Sequence, residues 1–147
     1  MKAAIIYTSI TGNTSALAEL IHEKMEEKGI TADLIPVEEF HKHHFHEYDI
    51  MAVGTYSWDN GEIPLEMEEV YEAFETEDVK KLATGVFGTG DSFYPYYCGA
   101  VDLFRDMLYV HTNLAVTLKV ELTPQDEDII RCEKFCDRLI SEVAVVS

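Results

Sequence analysis

Short apolar runs alternate with stretches of helical spacing along this chain, and that alternation limits the fold more than any single motif. Residues 2–7, with Ala3-Ala4-Ile5-Ile6-Tyr7, are too uniformly apolar for a half-exposed strand and read as a buried one. From 13 to 28, Leu17, Leu20, Ile21 and Met25 recur at helical spacing, with Glu19, His22, Glu23 and Glu26 opposite and Gly29 as a stop. Further strands are expected at about 31–37, 49–54, 82–88 and 113–122, and further helices at about 64–75, 99–111 and 124–145. Pro64 suits a first helical turn, and Leu65, Met67, Val70, Tyr71 and Phe74 are the inward candidates behind it. Residues 38–47 are polar and irregular, with room for a short helical turn. This pattern calls for a three-layer α/β/α sandwich around a five-stranded parallel sheet. At 147 residues it is expected to be a single domain, 1–147, with a sizeable core. Two strand orders are usual for this pattern; with the order 2-1-3-4-5, the loops after strands 1, 3 and 4 lie side by side at the carboxyl edge, where open α/β sheets bind ligands.

Those three loops are the unusual stretches of the sequence. Thr8-Ser9-Ile10-Thr11-Gly12-Asn13-Thr14 joins a buried strand to a helix N-terminus. The first N–H groups of a helix lack intrahelical partners and carry the positive end of its dipole. Thr8, Ser9, Thr11 and Thr14 can add hydroxyl donors, and Gly12 allows the backbone to approach a phosphate closely. The loop holds no Lys or Arg, which suits a phosphate monoester rather than the triphosphate of a P-loop. A Ser/Thr turn is also an ordinary helix cap, and this loop alone does not separate the two readings. Trp58 stands in Thr55-Tyr56-Ser57-Trp58-Asp59-Asn60-Gly61-Glu62, where a core role is hard to supply. Tyr94 stands in the third loop, just after Asp91-Ser92. Large aromatics in strand-end loops tend to stack on something. Together the loops suggest a flat aromatic ligand with one phosphate. FMN fits, with its phosphate in the first loop and its ring between the other two.

Charge and motifs narrow the function. Eleven basic against 28 acidic residues give a net charge of −17. Such a surface repels nucleic acid and anionic lipid, and favours a basic protein partner; the plain alternative is that acidity serves solubility. No apolar segment approaches the roughly 18 residues of a membrane span. Met1-Lys2-Ala3-Ala4 enters a strand directly, so a cytoplasmic location is expected. Cys98, Cys132 and Cys136 fit a reducing compartment. Cys132 and Cys136 stand one helical turn apart, with Cβ atoms roughly 5–6 Å apart where a disulfide wants about 3.8 Å, so they read as core-facing or half-buried thiols. His41, His43, His44 and His46 are dense, but no cysteine or acidic ligand stands at zinc-site spacing, and the segment reads as a solvated connection with no metal assigned. A signalling receiver domain would need acidic residues where Tyr7-Thr8 and Gly54-Thr55 stand. A low-molecular-weight phosphatase would need a cysteine in the first loop. Gly88-Thr89-Gly90 lacks the third glycine and helix placement of a dinucleotide fingerprint.

In these residues the chain resembles the flavodoxin family over essentially its whole length. The resemblance rests on Thr8 to Thr14, on the Trp58 loop, and on Gly88-Thr89-Gly90-Asp91-Ser92 through Tyr94 to Cys98-Gly99-Ala100-Val101-Asp102. Flavodoxin is itself the standing example of the 2-1-3-4-5 order with FMN at its switch point, so that site enters through the resemblance. The length is similar to that of the short-chain branch. The resemblance implies a flavodoxin-like fold and a low-potential one-electron carrier with non-covalent FMN, shuttling between semiquinone and hydroquinone. By position, the phosphate would fall to Ser9, Thr11, Asn13 and Thr14 with the backbone of Ile10 and Gly12. Trp58 would cover one face of the ring and Tyr94 the other. Thr55, Tyr56, Ser57, Asp59, Asn60 and Gly61, with Thr89, Gly90, Asp91, Tyr96, Tyr97 and Cys98, would surround the ring and its polar edge. No residue would be catalytic, because the cofactor carries the chemistry. A basic NAD(P)H-dependent flavodoxin/ferredoxin reductase would donate electrons to a monomer. Acceptors would be of the kind of a cytochrome P450, a desaturase, a nitrogenase or another iron–sulfur or radical enzyme. The rival on the same fold is an enzyme, an FMN-dependent quinone reductase or a ribonucleotide-reductase-activating flavoprotein. The negative charge, with no Lys or Arg in the loops, and the water-excluding aromatics would push the second reduction to low potential.

One departure from the family carries a consequence. The family often has Gly directly after the loop aromatic, where a peptide flips toward the reduced ring; here Asp59 stands there, followed by Asn60-Gly61. A left-handed conformation at a non-Gly residue costs roughly 1–2 kcal/mol, less for Asp. For one electron, 1 kcal/mol corresponds to about 40 mV. Unless the flip moves to Asn60-Gly61, Asp59→Gly should therefore raise the first reduction potential by a few tens of mV in a redox titration, on the order of 40 mV. An unchanged first potential would remove residue 59 from the flip.

Overall fold

The structure, a computed structural model, describes residues 1–58 and 60–146, with side chains to residue 143. Its elements in chain order are β1 (Lys2–Tyr7), α1 (Asn13–Glu27), β2 (Thr31–Pro36), β3 (Ile50–Tyr56), α2 (Glu68–Thr76), β4 (Ala83–Gly90), α3 (Gly99–His111), β5 (Asn113–Glu121) and α4 (Asp126–Val146). Short 3₁₀ turns at Val37–Glu39 and Lys42–His46 bridge β2 to β3, and another at Leu65–Met67 precedes α2. The five strands form one sheet in the order β2-β1-β3-β4-β5, all neighbours parallel. No helix among the described residues is long and apolar enough to cross a membrane.

The uniform apolarity of the central strands follows from their position. Successive side chains point to opposite faces, and both faces are covered by helices. Ala4, Ile6, Met51, Val53 and Val86 face α2 and α3, where Val70, Phe74, Val101, Phe104 and Leu108 complete one core. Ala3, Ile5, Ile50, Ala52 and Phe87 face α1 and α4, against Leu17, Ile21, Met25, Phe135 and Leu139. The edge strands β2 and β5 are only half covered and mix buried with exposed positions. Packing is close enough that Gly54 has no room for a side chain: a Cβ there would lie 2.3 Å from the Phe87 ring. That ring is fully buried and meets Phe135 edge-on at 5.9 Å. Cys132 and Cys136 are both fully buried in the second core. Burial pushes their thiols up to about 11 and about 12, so they pack as apolar groups and not as nucleophiles.

Of the boundaries at which the structure departs from the sequence reading, three have a clear physical cause. Strands β3 and β4 run two residues beyond their apolar cores, because Thr55 pairs with Gly88 and Tyr56 with Thr89. The helix expected at 64–75 opens as a 3₁₀ turn and becomes α-helical only at Glu68. Pro64 is extended at ψ 145°, so it precedes the turn instead of starting it. The shift turns Leu65, an inward candidate, out to 78% exposure, while Met67 is fully buried in its place. Met67→Ala should therefore destabilise the protein by about 2–5 kcal/mol, and Leu65→Ala by less than about 0.5 kcal/mol, in urea unfolding. Equal losses would contradict this placement.

Candidate functional site

The chain reverses its direction of travel across the sheet between β1 and β3, and a cavity of about 470 Å³ opens at that edge, beyond the carboxyl ends of β1, β3 and β4. This is well within the usual size of a small-molecule site. Its walls come from the three loops singled out in the sequence.

The first loop delivers donors. Gly12 is the N-cap of α1, in the left-handed region at φ 92°, and no side chain caps the helix. The loop hydroxyls therefore have other tasks. Ser9 Oγ accepts the Gly12 N–H at 3.1 Å, leaving its own proton to donate. The Thr14 and Thr89 hydroxyls meet at 2.7 Å in a buried pair that ties the first turn of α1 to the end of β4. Thr8 is turned away, donating to Glu66 Oε1 at 3.0 Å. The backbone N–H groups of Ser9, Ile10, Thr11, Asn13, Thr14 and Ser15 have no acceptor among the described residues. They form a set of free donors at a helix start, of the kind that suits an anion, built without a cationic side chain.

The second loop delivers an aromatic wall. Trp58 and Glu62 exchange backbone hydrogen bonds of 2.8 and 2.7 Å, closing a tight turn in which Gly61 is left-handed at φ 87°. Gly61 is buried, and a Cβ there would fall 2.7 Å from Cβ of Tyr96, so this turn seats directly on the third loop. Ser57 Oγ accepts the Ala100 N–H at 2.9 Å and so caps α3 from the loop after β3. Trp58 is 53% exposed at the cavity rim, with Tyr56 edge-on to it at 6.5 Å. The Tyr56 hydroxyl donates to Glu66 Oε1 at 2.6 Å, the same oxygen that Thr8 reaches. Burial alone would raise the Glu66 carboxyl, but bonds from Tyr56, its own backbone and Thr8 outweigh it and hold it below the usual carboxylate range. One carboxylate thus fastens the first loop to the second.

The third loop runs from Asp91 to Cys98. Asp91 organises it, its Oδ1 accepting the Phe93 N–H at 3.0 Å and its carbonyl the Tyr94 N–H at 3.1 Å. Glu121 of β5 accepts from both the backbone and the hydroxyl of Ser92. Tyr94 and Tyr96 are each 68% exposed. Tyr96, Cys98 and Leu122 are left-handed, with φ of 61°, 51° and 53°, and all three line this cavity. Non-glycine residues held there are strained by roughly 1–3 kcal/mol each, and such strain gathers at binding sites. Burial pushes the Cys98 thiol up to about 11, so it is no nucleophile. Asp91 is the one charged side chain among the described residues of the wall. Behind this wall stands Lys119, whose Nζ lies 6.0 Å from the Tyr97 ring and is paired to Asp102 at 2.8 Å.

Most of the residues named from the sequence meet here. Ser9, Ile10, Thr11, Asn13 and Thr14 line one end of the cavity, and Tyr56, Ser57, Trp58 and Gly61 one wall. Thr89, Gly90, Asp91, Tyr94, Tyr96, Tyr97 and Cys98 supply the other wall. Gly12, Thr55 and Asn60 are not on the lining; Thr55 is fully buried inside β3, donating to the Tyr56 carbonyl at 2.7 Å. Asp59 lies outside the described residues. Pro95 and Leu122 also line the cavity and were missed. Pro95 stands between two named tyrosines; Leu122 carries no polar or aromatic signal and arrives from the end of β5, a loop not considered.

The chain matches the family model described as Flavodoxin over residues 5–134. It is 37% identical over 138 residues to a protein named probable flavodoxin 1 from Bacillus subtilis (strain 168), covering 91% of this chain and 87% of that one. Among solved structures it is similar to a flavodoxin of Streptococcus pneumoniae TIGR4, with a TM-score of 0.88, 34% identity, and 97% and 99% of the two chains covered. It is likewise similar to oxidised flavodoxin 1 from Bacillus cereus, with a TM-score of 0.87, 32% identity, and 96% and 98% covered. The chain belongs to the flavodoxin family, small FMN-binding proteins that pass electrons to and from partner proteins and are not themselves enzymes.

Proposed function

We propose that this protein is a low-potential, one-electron carrier, and that the cavity described above is its FMN site. The observation that carries the reading is the joint placement of two chemistries on one cavity. Neutral N–H and hydroxyl donors at the start of α1 suit a phosphate monoester, and Trp58 and Tyr94 at the other end suit a flat ring. Bound there, FMN supplies the redox chemistry. The chain's own residues bind, orient and exclude water. Ser9, Thr11, Asn13 and Thr14, with the backbone of Ile10, would hold the phosphate. Trp58 and Tyr94 would cover the ring, and the backbone from Gly90 to Cys98 would meet its polar edge. The left-handed residues Tyr96 and Cys98 set the path of that backbone.

The electrostatics favour a low potential. A second electron adds negative charge inside a protein of net charge −17. Lys119, a cation behind Tyr97, is neutralised by Asp102. The same charge would draw a basic NAD(P)H-dependent reductase as donor, and acceptors such as a cytochrome P450, a desaturase or an iron–sulfur or radical enzyme. We take it to work as a single domain, as a monomer and in the cytoplasm.

Stepwise anaerobic reduction tests this reading. Flavin absorbance should change in two well-separated one-electron stages, and a single two-electron stage would contradict it. Trp58→Ala should raise the second potential by letting water reach the ring, and should weaken FMN binding about tenfold, roughly 1.4 kcal/mol. An unaffected second potential would take Trp58 off the ring.

Glu66 gives a pH-dependent outcome. A carboxyl held below its ordinary value of 4.5 contributes fully above that pH, and its contribution is lost as the pH falls through the lowered value. Stability to urea should fall more steeply below pH 4.5 in the wild type than in Glu66→Gln, whose FMN affinity should also be lower at neutral pH. Parallel profiles would show that Glu66 does not hold the loops.

A further inference from the structure

The geometry points to a divalent transition-metal site of the zinc type, formed by His43, His44 and Glu47 at the sheet edge opposite the FMN cavity. These residues belong to the connection between β2 and β3, just before the amino end of β3, whereas the cavity opens at the carboxyl ends of the strands. One ring nitrogen from each histidine and a carboxylate oxygen of Glu47 lie within 4.8 Å of one another. Ligands bound at zinc distances of about 2.0–2.2 Å stand roughly 3–3.5 Å apart. Side-chain rotation can close that difference, since His43 and Glu47 are exposed and His44 is half-buried.

The backbone beneath these side chains is held. Phe40 and Phe45 flank the two histidines and are only 5% and 6% exposed. Their rings meet edge-on at 5.6 Å, and Phe45 meets Phe74 of α2 at 4.8 Å. The His44 carbonyl accepts the Glu47 N–H at 3.1 Å, which brings Glu47 back over the turn beside the histidines. The rings of His43 and His44 are 4.6 Å apart. The three ligands are thus presented on an anchored turn, not on a free tail. Linear spacing hides the set, because the acidic ligand is the residue that closes the 3₁₀ turn of the histidine run.

Chemistry narrows the occupant. Two imidazoles and one carboxylate suit zinc, nickel or copper, whereas magnesium and calcium take oxygen ligands. Three protein ligands leave a fourth position for water. A net charge of −17 favours any cation. Binding has one structural consequence. His44 Nδ1 accepts the His41 N–H at 3.0 Å, and this bond is given up whichever ring nitrogen takes the metal. Nδ1 would lose it directly, and Nε2 could bind only after the ring proton moves to Nδ1.

The test is calorimetric titration of zinc chloride into the FMN-loaded protein in a non-chelating buffer. One saturable site per chain is expected, with the flavin absorption unchanged. His43→Ala, His44→Ala and Glu47→Gln should each weaken zinc by about tenfold or more. His46→Ala, whose ring is outside the set, should change it less than about threefold. Equal weakening in all four variants, binding indifferent to all of them, or a zinc-dependent shift of the flavin spectrum would overturn the site.

Discussion

The parting of the chain between β1 and β3 is the constraint on which the site depends. Right-handed crossovers place α1 on one face of the sheet and α2 and α3 on the other, and the terminal helix α4 packs beside α1. At the switch between them, the loops leaving β1 and β3 turn to opposite faces, and neither covers the gap. A parallel sheet buried on both sides thus exposes its backbone at one edge, and this edge is where the free donors of α1 appear. Apolar burial fixes the strands; the crevice follows from connectivity.

Holding the crevice open in one shape falls to a small number of polar contacts. Glu66 receives Thr8 from the first loop and Tyr56 from the second. Ser57 caps α3 across 43 residues, and the Thr14–Thr89 pair joins α1 to β4. These bonds lie between elements already placed by the two cores, so each adjusts loops against a rigid frame. The strain at Tyr96, Cys98 and Leu122 is tolerated for the same reason.

Much of this was legible in the sequence. Residues 2–7 and 99–111 could be bounded to the residue, because an apolar run and a glycine-to-histidine helical stretch carry their own ends. The strand order came from alternation and the resemblance together. Trp58 and Tyr94 announced themselves as large aromatics among loop residues. What escaped depends on partners distant in the chain. Thr55 and Tyr56 are strand only because Gly88 and Thr89 pair with them, and Leu65 faces out because Pro64 is extended. The Glu66 tether is invisible in sequence, since one of its partners lies 58 residues away.

Trp58 is the chain's only tryptophan, and it stands half-exposed on the cavity rim at the head of the closed turn it forms with Glu62. Indole emission from this protein therefore originates wholly at the site. It reports occupancy and local loop motion, and is blind to the two cores except when they give way entirely. The molecule carries a single-site optical probe, placed by the same turn that positions its ring wall, and needs no added label.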